Sequence, residues 1–252
     1  MPQNSTSPEN ATATNIWFES WFDTTYYHVL YKDRDYAEAQ LFMENITQYL
    51  NLPEHAKILD LACGKGRHSI YLNQIGYDVT GADLSKNSIE IAKLSENSKL
   101  HFNVHDMREP FQEKFDLVLN LFTSFGYFDS ELDNLKTLIA IKESLTDDGF
   151  AVIDFMNVDF VLRNLVKNET KTVDSIDFNM HRKFDEGYIS KEISFVDNGQ
   201  NFLFTEKVKA LTLANFEQLM DQAGIYLLDI FGDYKLNKFD KNRSERLIMI
   251  FK

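Results

Sequence analysis

Three carboxylates that close apolar runs, Asp60, Asp83 and Asp106, are the residues of this 252-residue chain whose types and spacing could do chemistry together. The first stands in ILDLACGKGRHS, an apolar run that ends in an acid and turns through Gly64-Lys65-Gly66. Glycines let a backbone turn tightly and approach a ligand, and a helix opening behind them offers free N–H donors. A carboxylate at that place repels a pyrophosphate and suits an ammonium group. A dinucleotide fingerprint also needs a third glycine three positions after Gly66, where this chain has Ser69. Asp83 ends the next run, YDVTGAD, where an acid can accept from both hydroxyls of a ribose; nucleotides of either kind share that feature. Asp106, in His105-Asp106-Met107, can accept from the exocyclic amine of an adenine, with Met107 and Leu84 against the ring faces.

A second group is aromatic. Phe122, Phe125, Tyr127 and Phe128 fall within seven residues, and Tyr26, Tyr27 and Tyr31 crowd the N-terminal segment beside Arg34. Rings of this kind line sites for cations, and they equally fill cores. Cys63, alone in the chain, reads as a small packing residue in the glycine turn. Arg67 and His68 start the following helix, where capping and ligand roles are both open. The histidines lack metal-ligand spacing, so no metal is expected.

The elements that must position these groups follow an alternating rhythm. AKILDLA, YDVTGAD, KLHFNVHD, KFDLVLNLF and FAVIDFMN read as strands. RHSIYLNQIG, a segment capped by Ser85 and DSELDNLKTLIAIKESL read as helices between them. Strand–helix alternation implies right-handed crossovers and a mostly parallel sheet. The rhythm breaks over 159–210, where a short helix precedes alternating stretches with turns at Asp185-Glu186-Gly187 and Asn198-Gly199, so an antiparallel insertion is expected. The core resumes with TLANFEQLMDQAG, IYLLDIF and RLIMIFK.

Composition narrows the partners. With 39 acidic and 26 basic residues the net charge is −13, which argues against a surface that neutralises nucleic-acid phosphates. No apolar run approaches the roughly 18 residues that span a bilayer. The polar start, 1–15, reads as a disordered tail with no secretory signal, and the lone cysteine suits a reducing cytoplasm.

In this order and spacing, DLACGKGRHS, GADLS, HDMRE and NLFTSFGYF resemble the class I S-adenosylmethionine-dependent methyltransferases of small-molecule type, over about residues 17 to 252. The resemblance implies an α/β fold, a doubly wound Rossmann-like seven-stranded sheet whose last strand is antiparallel, carrying the small antiparallel β insertion. It divides the chain into a core over 16–158 and 211–252 with an N-terminal helical lid, and an insertion over 159–210 that covers the acceptor. S-adenosylmethionine would lie at the carboxyl ends of the first four strands. Asp60, Ala62, Gly64 and Gly66 would hold its methionine part, Asp83 its ribose, and Leu84, Asp106 and Met107 its adenine. Asn120 and Leu121 would lie under the sulfonium, and Tyr27 would meet the carboxylate, with Tyr26, Tyr31 and Arg34 as rivals. Phe122, Phe125 and Tyr127 would face the acceptor, and Tyr127, His181 or an N-terminal tyrosine could serve as base. With prolines only at 2, 8, 53 and 110, the Asn-Pro-Pro-aromatic motif of exocyclic-amine nucleic-acid methyltransferases is absent. The sole cysteine in the glycine turn excludes a covalent cysteine route to cytosine carbon-5. N- or O-methylation of a small molecule is the leading expectation. A dinucleotide-dependent oxidoreductase and an S-adenosylmethionine-binding protein without transfer activity stay open beside it.

Overall fold

The apolar runs become strands buried on both faces, because helices cover both sides of the sheet they form. The computed structural model describes residues 21–32 and 36–252; the expected tail over 1–15 and Arg34 lie outside them. The first helix, α1 (Thr25–Leu30), and the longer α2 (Tyr36–Tyr49) precede the sheet. Then β1 (Lys57–Leu61), α3 (Arg67–Gln74), β2 (Asp78–Asp83), α4 (Lys86–Ala92), β3 (Leu100–Val104) and β4 (Phe115–Asn120) alternate. They are followed by α5 (Glu131–Glu143), β5 (Leu145–Met156) and the short α6 (Val158–Arg163). Strand β1 buries four of its five residues and β4 five of six, whereas the edge strand β3 alternates.

After an excursion, the core closes with α7 (Leu213–Ala223), β10 (Leu227–Phe231) and β11 (Arg246–Phe251). Strand order is β10-β11-β5-β4-β1-β2-β3, and β11 runs antiparallel to both neighbours, as expected for the last strand. The chain leaves β1 toward β2 and β3, then returns to β4 on the other side of β1. That reversal opens a crevice beyond the carboxyl ends of these strands, where open α/β sheets bind ligands. Helix positions are set locally: Ser85 caps α4 by accepting from Ser88 N–H, and Thr212 and Asn215 form a reciprocal capping box on α7.

The excursion is a separate four-stranded antiparallel sheet, β6 (Asn168–Val173), β7 (Ile176–Asp185), β8 (Tyr188–Asp197) and β9 (Gln200–Lys209). The turns Glu186-Gly187 and Asn198-Gly199 have two left-handed residues each, the geometry that matches strand twist. The turn Asp174-Ser175 has the same left-handed pair without a glycine, so β6 carries no glycine signal in the sequence. One face of this sheet buries Val173, Phe178, Met180, Ile193 and Phe195 against Trp21 and Leu30. The N-terminal segment is thus held by the insertion, through a core distinct from the two that flank the main sheet.

Candidate functional site

The crevice is a cleft of about 530 Å³ walled by the ends of β1 to β4, the α1 segment and β9. Its floor is the turn after β1. Ala62, Gly64 and Gly66 all adopt left-handed φ, and a Cβ on Gly66 would meet the Phe102 ring at 2.4 Å, so only glycine fits there. This twisted turn aims Gly64 N–H at Asp83, whose Oδ2 accepts it at 2.8 Å while Oδ1 accepts from Ser85 N–H at 2.8 Å. Each carboxylate oxygen keeps a lone pair toward the cleft, enough for two hydroxyl groups. Burial pushes the Asp83 pKa up, and the Ser85 and Gly64 N–H groups pull it back.

Asp60 lies deeper, 2% exposed but lining the cleft, with Oδ2 accepting from Ser69 Oγ at 2.6 Å. Burial lifts its pKa to about 6, against the pull of the Ser69 hydroxyl. A buried acid in that state favours a cation beside it. Ser69, the residue in place of a third glycine, is therefore a partner of Asp60. Burial and the nearby Asp60 and Asp83 carboxylates hold the Cys63 thiol well above its usual range, which fits a packing residue and no nucleophile.

The structure places the expected residues in different surroundings. Ala62, Leu84, Met107, Leu121, Phe122, Tyr127 and Tyr27 all line the cleft. Tyr26, the rival of Tyr27, turns away and donates to Asp197 Oδ2 at 2.8 Å in the insertion. Others depart. Asp106 lines the cleft, yet it accepts from Arg108 N–H, Nε and Nη2, and Arg108 in turn pairs with Asp133 and lies over the Phe128 ring. That bidentate clamp holds its pKa below the usual range. Gly66 sits beneath the turn, outside the lining. Asn120 is fully buried behind it, donating to the Leu61 carbonyl at 3.3 Å, with Oδ1 lacking a partner among the described residues. Phe125 is a core ring 5.4 Å from Phe216, away from the cleft, because the chain turns inward at Gly126. His181 lies on the outer face of β7, exposed and bonded to Asn168, since strand alternation sends Met180 to the packed face and its neighbour outward.

Sequence reading missed Glu206. It lines the cleft from β9, accepts from Trp21 Nε1 at 2.8 Å and Tyr31 Oη at 2.7 Å, and pairs with Lys191 at 2.5 Å. Its signal was there in β9: alternation places it on the packed face with Phe202 and Phe204, where an acid needs a reason.

Residues 58–149 match the family described as a methyltransferase domain. A Bacillus subtilis protein named as a methyltransferase is 29% identical over 209 residues, 78% of this chain and 84% of its own length. A glycine/sarcosine N-methyltransferase of Aphanothece halophytica is 32% identical over 155 residues, 57% of this chain and 54% of that enzyme. Among solved structures, an S-adenosylmethionine-dependent methyltransferase from Clostridium acetobutylicum superposes with TM-score 0.77 at 23% identity, over 90% of this chain and 95% of its own. An S-adenosylmethionine-bound amino pentose methyltransferase from Micromonospora echinaspora gives TM-score 0.70 at 16% identity, over 90% and 96%.

Proposed function

We propose that the chain is a class I S-adenosylmethionine-dependent methyltransferase that methylates nitrogen or oxygen of a small molecule, with an amine as the favoured acceptor; the methyltransferase-domain match over 58–149 and the similar proteins support this reading. The observation that carries this reading is the pair of carboxylates at the ends of β1 and β2, Asp60 buried and Asp83 half-buried, joined through the left-handed turn. The residues present fit the methyl donor. Asp60 calls for a cation, Asp83 holds two lone pairs ready, and Gly64 leaves open space where a Cβ would stand.

In this reading Asp60 receives the ammonium group and Asp83 the ribose hydroxyls. Asp106, Met107 and Leu84 surround the adenine, and Tyr27 meets the carboxylate. When bound, S-adenosylmethionine supplies a methyl group on a sulfonium whose thioether leaves without an acid. The chain's own part is then orientation and exclusion of water, which in favourable cases lower a barrier by about 7–11 kcal/mol. The residues of the cleft would hold an acceptor with its lone pair toward that methyl group, and the proton released from the acceptor would pass to a base such as Tyr127 or to solvent.

On the acceptor side, Phe22, Tyr27, Tyr127 and Phe128 give aromatic walls, and Glu206 adds a carboxylate from the insertion. Rings and an acid favour an amine that passes through a cationic state. The glycine/sarcosine and amino pentose specificities named for the similar proteins support nitrogen as well. Tyr127 is the base candidate that reaches the cleft. Glu206 of β9 and the α1 segment wall the proposed acceptor side, and the single cysteine fits work in the cytoplasm.

The test is calorimetric titration with S-adenosylhomocysteine, NAD and NADP, repeated on Asp83→Ala. Binding of S-adenosylhomocysteine alone, weakened by the substitution, supports the reading and opens a screen of amines and alcohols with labelled methyl donor. A bound dinucleotide would sink it. Binding without transfer to any acceptor in that screen would point to a sensor of the cofactor.

A further inference from the structure

Directly after β4 the backbone does something costly. Phe122 and Thr123 both take left-handed φ, 56° and 64°, which a bulky ring and a β-branched side chain resist. Such a pair persists only where its surroundings over-determine it. Here the surroundings are one carboxylate. Asp154, fully buried at the end of β5, accepts Phe122 N–H on Oδ2 at 2.8 Å, and its backbone carbonyl accepts Thr123 N–H at 2.9 Å. Arg246, from β11, places Nε 2.7 Å from Asp154 Oδ1 and donates through Nη2 to Thr123 Oγ1 at 3.1 Å. Tyr234, from the β10–β11 connection, donates to Asp154 Oδ2 at 3.2 Å and sets its ring 5.5 Å from that of Phe122.

The strained turn presents Phe122 to the cleft. Its ring stacks on His68 at 4.6 Å and 15°, in the first turn of α3 behind the glycine loop, and Arg67 lies 5.8 Å over it. Both His68 and Phe122 line the cleft, while Asp154 and Arg246 do not. A chain of contacts therefore runs from the antiparallel last strand through an ion pair, Asp154 buried and Arg246 half-buried, to a ring that braces the cofactor turn.

We propose that Asp154 and Arg246 are positioning residues: their ion pair holds Phe122 in its left-handed turn, and Phe122, stacked on His68, fixes the glycine loop for ligand binding. The proposal rests on the S-adenosylmethionine reading of the cleft. It makes the pair act on ligand affinity through Phe122 and by no other route, and that is what an experiment can read.

S-adenosylhomocysteine is titrated into the full chain as wild type, Asp154→Asn, Phe122→Ala and the double variant, well below each melting midpoint. Each single substitution weakens binding about fivefold to tenfold, and the double binds no more weakly than the weaker single, because both remove one and the same constraint. Hydrogen exchange across 121–126 rises in Asp154→Asn. A merely structural ion pair would lower the melting midpoint and leave the dissociation constant of the folded protein unmoved. Unchanged affinity in Asp154→Asn, or single effects that multiply in the double, overturns the proposal. Should Asp154→Asn fail to fold, Arg246→Lys, which keeps the charge and loses the bond to Thr123, enters the same cycle with the same criterion at smaller size. A wild type that does not bind S-adenosylhomocysteine strikes the reading of the cleft itself, and the proposal with it.

Discussion

The two ends of the cleft are built in different ways. At the cofactor end the contacts that shape the glycine turn lie between residues 60 and 85 and are short-range: Gly64 to Asp83, Ser85 to Asp83, Ser69 to Asp60. At the acceptor end Glu206 meets Trp21 across 185 residues, and Phe22 sets its ring 5.7 Å from that of Tyr127. The first is a local device, a strand–turn–helix unit whose hydrogen bonds close among neighbouring elements and whose helix start is braced from outside by Phe122. The second is an assembly, and its chemistry exists only once three separate segments have met. If the proposed reading holds, cofactor binding and choice of acceptor draw on parts of the molecule built by contacts of very different range.

Substitutions should separate the two ends. The largest expected effect is at Asp83. Asp83→Ala removes a carboxylate placed for two hydroxyls, each such charged bond worth about 1.5–3 kcal/mol, so S-adenosylhomocysteine affinity should drop by about a hundredfold or more in calorimetry. A loss under about threefold would break the local half of the comparison.

Asp60 comes next, with opposite signs for binding and stability. Burial raises its folded-state pKa from 3.8 to about 6. A raised carboxylate value means that ionisation costs the folded state. The cost is absent below about pH 4, grows as pH rises to about 6, and is full above it. Two units correspond to about 3 kcal/mol. Asp60→Asn should therefore be more stable than the native chain at pH 8 by up to that amount, with the two denaturation curves converging by about pH 4. The same variant should bind S-adenosylhomocysteine at least about tenfold more weakly. Native affinity should itself fall as pH drops through about 6, where Asp60 takes up its proton.

Glu206→Gln addresses the assembled end. It removes the carboxylate charge that pairs with Lys191 and weakens the bonds from Trp21 and Tyr31, so urea denaturation should show a loss of about 2 kcal/mol. Turnover of an amine acceptor should suffer through its KM, while S-adenosylhomocysteine affinity stays within about twofold. Equal damage to both ligands would mean that the two ends are not separable. The smallest effect is expected at His181, on the exposed outer face: His181→Ala should alter stability by less than about 0.5 kcal/mol and leave turnover untouched.

The same contrast explains what was legible. Asp60, Gly64, Asp83, Leu84 and Met107 could be read because strand ends and glycine turns leave a mark in consecutive residues. The antiparallel insertion was legible from Asn198-Gly199 and period-two alternation, yet β6 lacked a glycine in its turn and stayed unmarked. Asp106 showed its position but hid its engagement, because a clamp by Arg108 depends on the loop's path and on Asp133 of α5. Phe125 and Tyr127 are two residues apart in one aromatic run, and only the inward turn at Gly126 sends the first to the core and leaves the second in the cleft. Asp154 stands inside the strand run FAVIDFMN, and nothing in the neighbouring residues marks Phe122 or Arg246 as its partners.

By itself, the sequence determined the order of elements, the twisted turn beneath the cofactor and the acids around it. Those follow from backbone hydrogen bonding and side-chain periodicity over a few residues, which act before any long-range contact forms. The tertiary structure alone decided which aromatic rings face the cleft, that a carboxylate from the insertion joins them, and that an ion pair holds Phe122 in a conformation its own backbone resists. Those outcomes depend on burial and on partners far away in the chain, and burial is a property that only the folded whole confers.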